Sequence, residues 1–309
     1  MRDAFIKTLI KEAGKNKKIY LLTGDLGFTV LEKFQKKFPD RFFNVGVAEQ
    51  NMMAVAAGLG LAGKIVFVYS MATFATLRAL EQIRNDIARH QLAVVIVGSG
   101  AGFCYGQAGF SHQALEDLSL MRSIPDMTIL CPADPMETIW ATRQAIKLKK
   151  PVYLRLGKKE EPRIYKNMPR LRLGKGRILR RGKDVALFAT GNLVDNALQA
   201  AEILSLKKIQ AAVVSMHTLK PLDIDLIKDF SRKFSVLVTI EEHYLQGGLG
   251  SAVAEVLAEE KEKPRLIRLA IPHRLITEIG SQDFLRKKLA LTPKQIAKNV
   301  QTILNSSSS

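Results

Sequence analysis

Short apolar runs rich in β-branched residues alternate with helical stretches along the whole chain, and this alternation restricts the fold more than any other feature. KIYLLT at 18–23, KIVFVY at 64–69, AVVIVG at 93–98 and MTILC at 127–131 are separated by segments of helical spacing. A second series follows, with DVALFAT at 184–190, QAAVVS at 210–215, SVLVTIEE at 235–242 and RLIRLAI at 265–271, around helices such as NLVDNALQAAEIL. Strands of this kind alternating with helices predict an α/β fold of two domains, each with a parallel or mostly parallel sheet flanked by helices. Between the two series, Gly157 to Lys183 is charged, holds Pro162, Pro169, Gly174, Gly176 and Gly182, and lacks apolar periodicity. It reads as a linker. The expected division is 1–157, a linker at 158–183, a second domain at 184–305 and a polar, disordered tail at 306–309.

Composition narrows the class. The 309 residues suit two compact domains, since single domains usually run ~100–200 residues. No stretch of about 18 uninterrupted apolar residues is present, so no membrane span is expected. MRDAFIKTLIKEAGKNKKIYLL reads as an amphipathic helix running into a strand rather than as a signal peptide, and a cytoplasmic location is expected. Cys104 and Cys131 are too few and too far apart for a disulfide framework or a zinc site, and no metal site is expected in this chain. The formal net charge of +18 favours anionic partners. Its basic residues are dispersed in short clusters (KNKK, KLKK, LRLGKGRILRRGK) without interleaved aromatics, which suits a solvated basic face better than a nucleic-acid site.

Open α/β sheets bind ligands at the carboxyl ends of their strands, so the loops there are the first candidates. TGDLGF follows the first strand and sets Asp25 and Leu26 on a turn between Gly24 and Gly27; Asp25 could equally be the N-cap of the next helix. FFNVGVAEQNMMAVAAGLGLAGK places Glu49 at the head of a run of small and apolar residues that reads as a buried helix. A carboxyl group there either pairs with a cation or is kept protonated to serve a ligand, unless it only faces the helix dipole. AGFCYGQAGFSHQALEDLSLMRSIP leaves the AVVIVG strand as a Gly-rich loop, with Ser111 a plausible N-cap and His112 beside it at a helix start, suited to hydrogen bonding or proton shuttling or merely to packing. YLQGGLGSAVAE carries a Gly-rich turn into a helix, a weak phosphate-binding signal that packing against another subunit explains equally well. HExxH, paired CxxC and GxSxG patterns do not occur, which leaves metalloprotease, zinc-ribbon and serine-hydrolase readings without support.

Taken in order, TGDLGF, VGVAEQNM, VYSMATFATLRALEQIRNDIA, GFSHQALEDLSLMRSIPDMTILCPAD and EEHYLQGGLGSAVAE make nearly the whole chain resemble the C-terminal two domains of transketolase. The resemblance implies a thiamine-diphosphate pyrimidine-binding domain followed by the transketolase C-terminal domain. By that likeness Glu49 hydrogen-bonds N1′ of the cofactor's aminopyrimidine, Phe74 stacks on that ring, and Asp25 and Leu26 lie near the thiazolium. His112, in SHQ where the family has THQ, is implied to contact the substrate's carbonyl and hydroxyl groups. Arg155, in PVYLRLG, is implied to bind the sugar phosphate.

The family's diphosphate and Mg²⁺ site, a GDG motif with a spaced Asn, is missing, since GDLG at 24–27 already belongs to another motif. The resemblance therefore implies thiamine diphosphate shared with an N-terminal partner subunit that holds Mg²⁺, as in split transketolases, and an α₂β₂ heterotetramer. Ala108 and Gly100 stand where transketolases carry an acid and a histidine that recognise the sugar phosphate, so a modified sugar or another ketol donor is open. Ketol transfer is the expected activity. The alternatives are the beta subunit of a 2-oxo acid dehydrogenase, a half related to deoxyxylulose-phosphate synthase, and a scaffold of the same fold that has lost catalysis.

Overall fold

The structure is a computed structural model, and it describes residues 1–158 and 161–306. The chain forms two compact units: Met1–Ala101 with Asp117–Arg170, and Gly102–Glu116 with Leu171–Ser309. Each is an α/β layer structure, as the alternating pattern predicts.

In the first unit the strands are β1 (Ile19–Thr23), β2 (Phe42–Asn44), β3 (Ile65–Met71), β4 (Val94–Ser99), β5 (Thr128–Leu130) and β6 (Val152–Leu156). They lie in the order β5-β6-β4-β3-β1-β2, every pair parallel. Because helices cover both faces, the central strands are buried at every position of β4 and β6 rather than alternately. The Arg2–Lys15 helix buries Phe5, Ile6, Leu9 and Ala13 and turns its lysines to water. The Pro135–Leu148 helix starts where sequence rules put it, with Asp134 accepting from Glu137 N and Pro135 in the first turn. Strand order reverses between β3 and β1, since β1 leads to β2 on one side and the chain then crosses to β3 on the other. Ligand crevices form at such a reversal.

The second unit contains β7 (Arg177–Arg180), β8 (Val185–Ala189), β9 (Ala211–Ser215), β10 (Thr218–Lys220), β11 (Val236–Tyr244) and β12 (Arg265–Ile271). Its sheet runs β12-β11-β8-β9-β7, parallel except for the antiparallel edge pair β7 and β9. Beyond Ile240 the β11–β12 register breaks until Tyr244, which releases Glu241, Glu242 and His243 from that ladder. Their side chains remain buried.

Two boundaries differ from the sequence reading. The segment expected as a linker at 158–183 includes β7, whose arginines and exposed edge hide its strand character, because edge strands carry charge to resist further pairing. Ser306 closes the Pro293–Ser306 helix instead of opening a tail. The remainder of the expected tail, 307–309, and linker positions 159 and 160 lie outside the described residues.

Candidate functional site

The loops leaving β1, β2 and β3 converge in the first unit. After β1 the chain turns through Asp25 (φ 54°) and Gly27 (φ 88°), a left-handed backbone that glycine adopts at no steric cost. Thr23 Oγ1 donates to the Leu26 carbonyl at 2.9 Å and closes the turn. Asp25 caps no helix. Its backbone N–H donates to Asn44 Oδ1 at 2.9 Å, and Asn44 Nδ2 returns a bond to Asp25 Oδ1 at 3.1 Å. Asn44 Oδ1 also accepts from Gly46 N at 3.1 Å, so one amide at the end of β2 ties the Asp25 turn to the approach of the next helix. A Cβ on Gly24 would stand 3.2 Å from the Gly46 carbonyl and 3.8 Å from Glu49 Oε1, which shows how closely the turn lies against that carboxylate.

Glu49 is the first residue of the Glu49–Leu61 helix and is 3% exposed. Ser70 Oγ donates to its Oε1 at 3.3 Å, and Arg78 Nη1 meets its Oε2 at 3.0 Å. The Arg78 guanidinium lies 4.2 Å above the Phe74 ring, so acid, cation and half-buried aromatic form one chain of contacts. Phe74 and Arg78 are four residues apart across the Ala72–Leu77 helix and its C-cap, the spacing that stacks side chains on one helical face. Beside Phe74, Thr73 Oγ1 is buried without a hydrogen-bond partner. The helix that Glu49 opens is only half buried: Met52, Met53, Ala56 and Ala57 face the core, while Val55 and Leu61 are exposed. That is a correction to the fully buried helix expected from its apolar run.

Arg155 requires a larger correction. It is the fourth of the five residues of β6, a strand flanked by β4 and β5, and is 2% exposed. Its Nε and Nη2 grip both oxygens of Asp117 at 2.6 and 3.0 Å, and Tyr153 donates its hydroxyl to the same carboxylate at 2.6 Å. Burial opposes the arginine's charge, but Asp117 holds its pKa above the ordinary value; burial and Asp117 together push the Tyr153 phenol up. This is an interior fork-to-fork ion pair and not a hand for a sugar phosphate. Among the described residues, the first exposed cation past the end of β6 is Lys158.

His112 lies in the second unit, in the short 3₁₀ turn Phe110–His112, half-buried, with Nδ1 2.9 Å from Ser111 Oγ. Neither Ser111 nor His112 starts an α-helix; the next one begins at Asp117. The Gly-rich turn before the Leu249–Ala258 helix does not present open N–H groups. Leu249 N and Gly250 N both donate to Glu241 at 2.7 Å, so the chain's own carboxylate fills that place. Among the described residues no group of three or more His, Cys, Asp or Glu could hold a metal ion, and no helix is long and apolar enough to cross a membrane.

Residues 1–163 match the transketolase pyrimidine-binding domain, and residues 174–296 match the transketolase C-terminal domain. The chain belongs to the transketolase family. It is 43% identical over 303 residues to a protein of Methanocaldococcus jannaschii named as a transketolase C-terminal section, covering 97% of this chain and 95% of the other. It is 38% identical over 299 residues to a 6-deoxy-6-sulfo-D-fructose transketolase subunit of Clostridium sp., covering 96% and 92%. Among solved structures, a split gene transketolase described as an inactive beta4 tetramer superposes with a TM-score of 0.88 at 41% identity, covering 98% of this chain and 97% of the other. The structure brings the expected Glu49 together with Phe74 through Arg78, and it adds Ser70, Asn44 and Arg78, which the sequence reading did not name. Arg78 was reachable through its four-residue spacing from Phe74.

Proposed function

We propose that this chain is the C-terminal subunit of a split transketolase that moves a two-carbon ketol unit between sugars, and that it works only with an N-terminal partner subunit. The observation that carries the reading is Glu49: a carboxylate 3% exposed at a strand-order reversal, with an aromatic ring on the helix after β3 and the half-exposed Arg78 over both. A structural acid has no need of that setting. An aminopyrimidine fits it, because the ring offers a basic nitrogen to the acid and a π-face to Phe74.

Thiamine diphosphate, when bound, supplies the nucleophilic carbon that breaks and remakes a ketose carbon–carbon bond. Glu49 would hydrogen-bond N1′ of the aminopyrimidine and share a proton with it. The buried side of its helix and Ser70 exclude the water that would otherwise compete for that proton. Phe74 would stack on the aminopyrimidine once Arg78 moves aside, and the turn of Asp25 and Leu26 would lie near the thiazolium. His112 donates to the sugar's carbonyl and hydroxyl oxygens.

The partner subunit is proposed to hold the diphosphate through Mg²⁺. Beside the site, Phe28 and Val47 are 71% and 70% exposed, and exposed apolar side chains at a crevice suit a protein interface. An α₂β₂ assembly in the cytoplasm follows the same reading. A sugar bearing a phosphate or another anionic group suits the net charge of +18, and Ala108 and Gly100 leave room for a modified one.

The test is the reconstituted complex carrying Glu49→Gln or Glu49→Ala. Loss of the acid is expected to lower kcat by at least ~10²-fold, the usual weight of a positioned proton-transfer group. Turnover near that of the unaltered complex in either variant would remove Glu49 from the chemistry.

A further inference from the structure

The segment Gly102–Glu116 follows the last residues of β4 in sequence, but it packs as part of the second unit. Backbone bonds pin its two ends: Gly102 and Ala114 form an isolated antiparallel bridge, and Tyr244 N donates to the Leu115 carbonyl at 3.0 Å. Between them the loop carrying His112 is held by a buried ionic anchor. Phe103 N donates to Glu242 Oε1 at 2.6 Å, Gln282 Nε2 reaches the same oxygen at 2.7 Å, and Arg286 Nε pairs with Oε2. Glu242 is 1% exposed and Phe103 is 0% exposed.

The fit leaves no slack. Gly102 sits at φ 60°, and a Cβ there would fall 2.3 Å from Glu242 Oε1. Gly106 lies against the 280–285 segment, where a Cβ would fall 2.4 Å from Leu285 Cδ1, and Gly280 N donates to the Gly106 carbonyl at 3.3 Å. Gln113, next to His112, donates its Nε2 to the Glu278 carbonyl at 2.9 Å. The release of Glu242 from the β11–β12 ladder lets its side chain serve a loop about 140 residues earlier in the chain.

We propose that Glu242 is a positioning residue: by tying Phe103 to Arg286 and Gln282 it fixes the loop that presents His112, and it thereby sets the affinity for the ketose. This rests on the reading of His112 as a sugar contact. A buried N–H or guanidinium left without its partner is destabilised enough to open the loop about tenfold more often. Glu242→Gln keeps an acceptor for Phe103 N and loses the charge that holds Arg286, so it should fall between the unaltered chain and Glu242→Ala.

The experiment combines two readouts on Glu242→Ala, Glu242→Gln, His112→Asn and the double variant Glu242→Ala/His112→Asn. Amide hydrogen exchange on the chain is expected to speed up about tenfold at 102–116 in Glu242→Ala, with β8 and β9 unchanged. In the reconstituted enzyme, KM for the ketose should rise with kcat less affected, Glu242→Gln should recover part of the loss, and the double variant should be no worse than the poorer single one. Unchanged exchange at 102–116 in a folded variant, or fully additive KM effects, would overturn the proposal. If Glu242→Ala does not fold, Glu242→Gln decides by the same two criteria. A His112→Asn enzyme with an unaltered KM would instead fault the His112 reading, and the exchange data would still judge the anchor.

Discussion

Arg155–Asp117 and Arg78–Glu49 are the same chemical pair in two settings. In the first, both side chains are sealed, 2% and 1% exposed, on a strand with neighbours at both edges. In the second the acid is sealed at 2% but the guanidinium is 49% exposed. A sealed cation cannot leave without abandoning its charge in the protein interior, so the Arg155 pair belongs to the framework. A half-exposed cation can return to water and surrender the acid to a ligand. Burial of the carboxylate alone, with an open partner, is what distinguishes a site from a brace.

The largest expected effect is on the sealed pair. Asp117→Ala should lose about 3–5 kcal/mol of stability, the usual consequence of stranding one buried charge, read from urea denaturation of the isolated chain. A loss below about 1 kcal/mol would show that water reaches Arg155 after all. The smaller effect is on the open pair. Arg78→Leu should change stability by no more than about 1 kcal/mol, as for a solvent-screened ion pair. A loss as large as that of Asp117→Ala would place both pairs in the framework and remove the reason to treat Glu49 as available.

Much of this contrast could be read in the sequence, and the part that could not has a definite cause. The eight apolar runs became β1, β3, β4, β5, β8, β9, β11 and β12; apart from the edge strand β12, they are strands buried on both faces, which announce themselves by composition. The strands missed were short or carried charge: Phe42–Asn44, Thr218–Lys220, the arginine-bearing edge Arg177–Arg180, and VYLRL, where Arg155 masks a central strand. Had VYLRL been read as β6, the burial of Arg155 would have followed. Glu49 was legible because an acid heading an apolar helix is costly and local. The Glu242 anchor was not, since it joins residues separated by 139 and 40 positions, a distance at which spacing carries no signal.

The division of labour between two polypeptides is tested most directly by calorimetric titration of thiamine diphosphate with Mg²⁺, first into this chain alone and then into its mixture with the N-terminal subunit. If the partner holds the diphosphate and Mg²⁺ as proposed, saturable binding is expected only in the mixture. Full, magnesium-dependent saturation of the isolated chain would mean that the diphosphate grip lies in this polypeptide and that the split-enzyme reading is wrong.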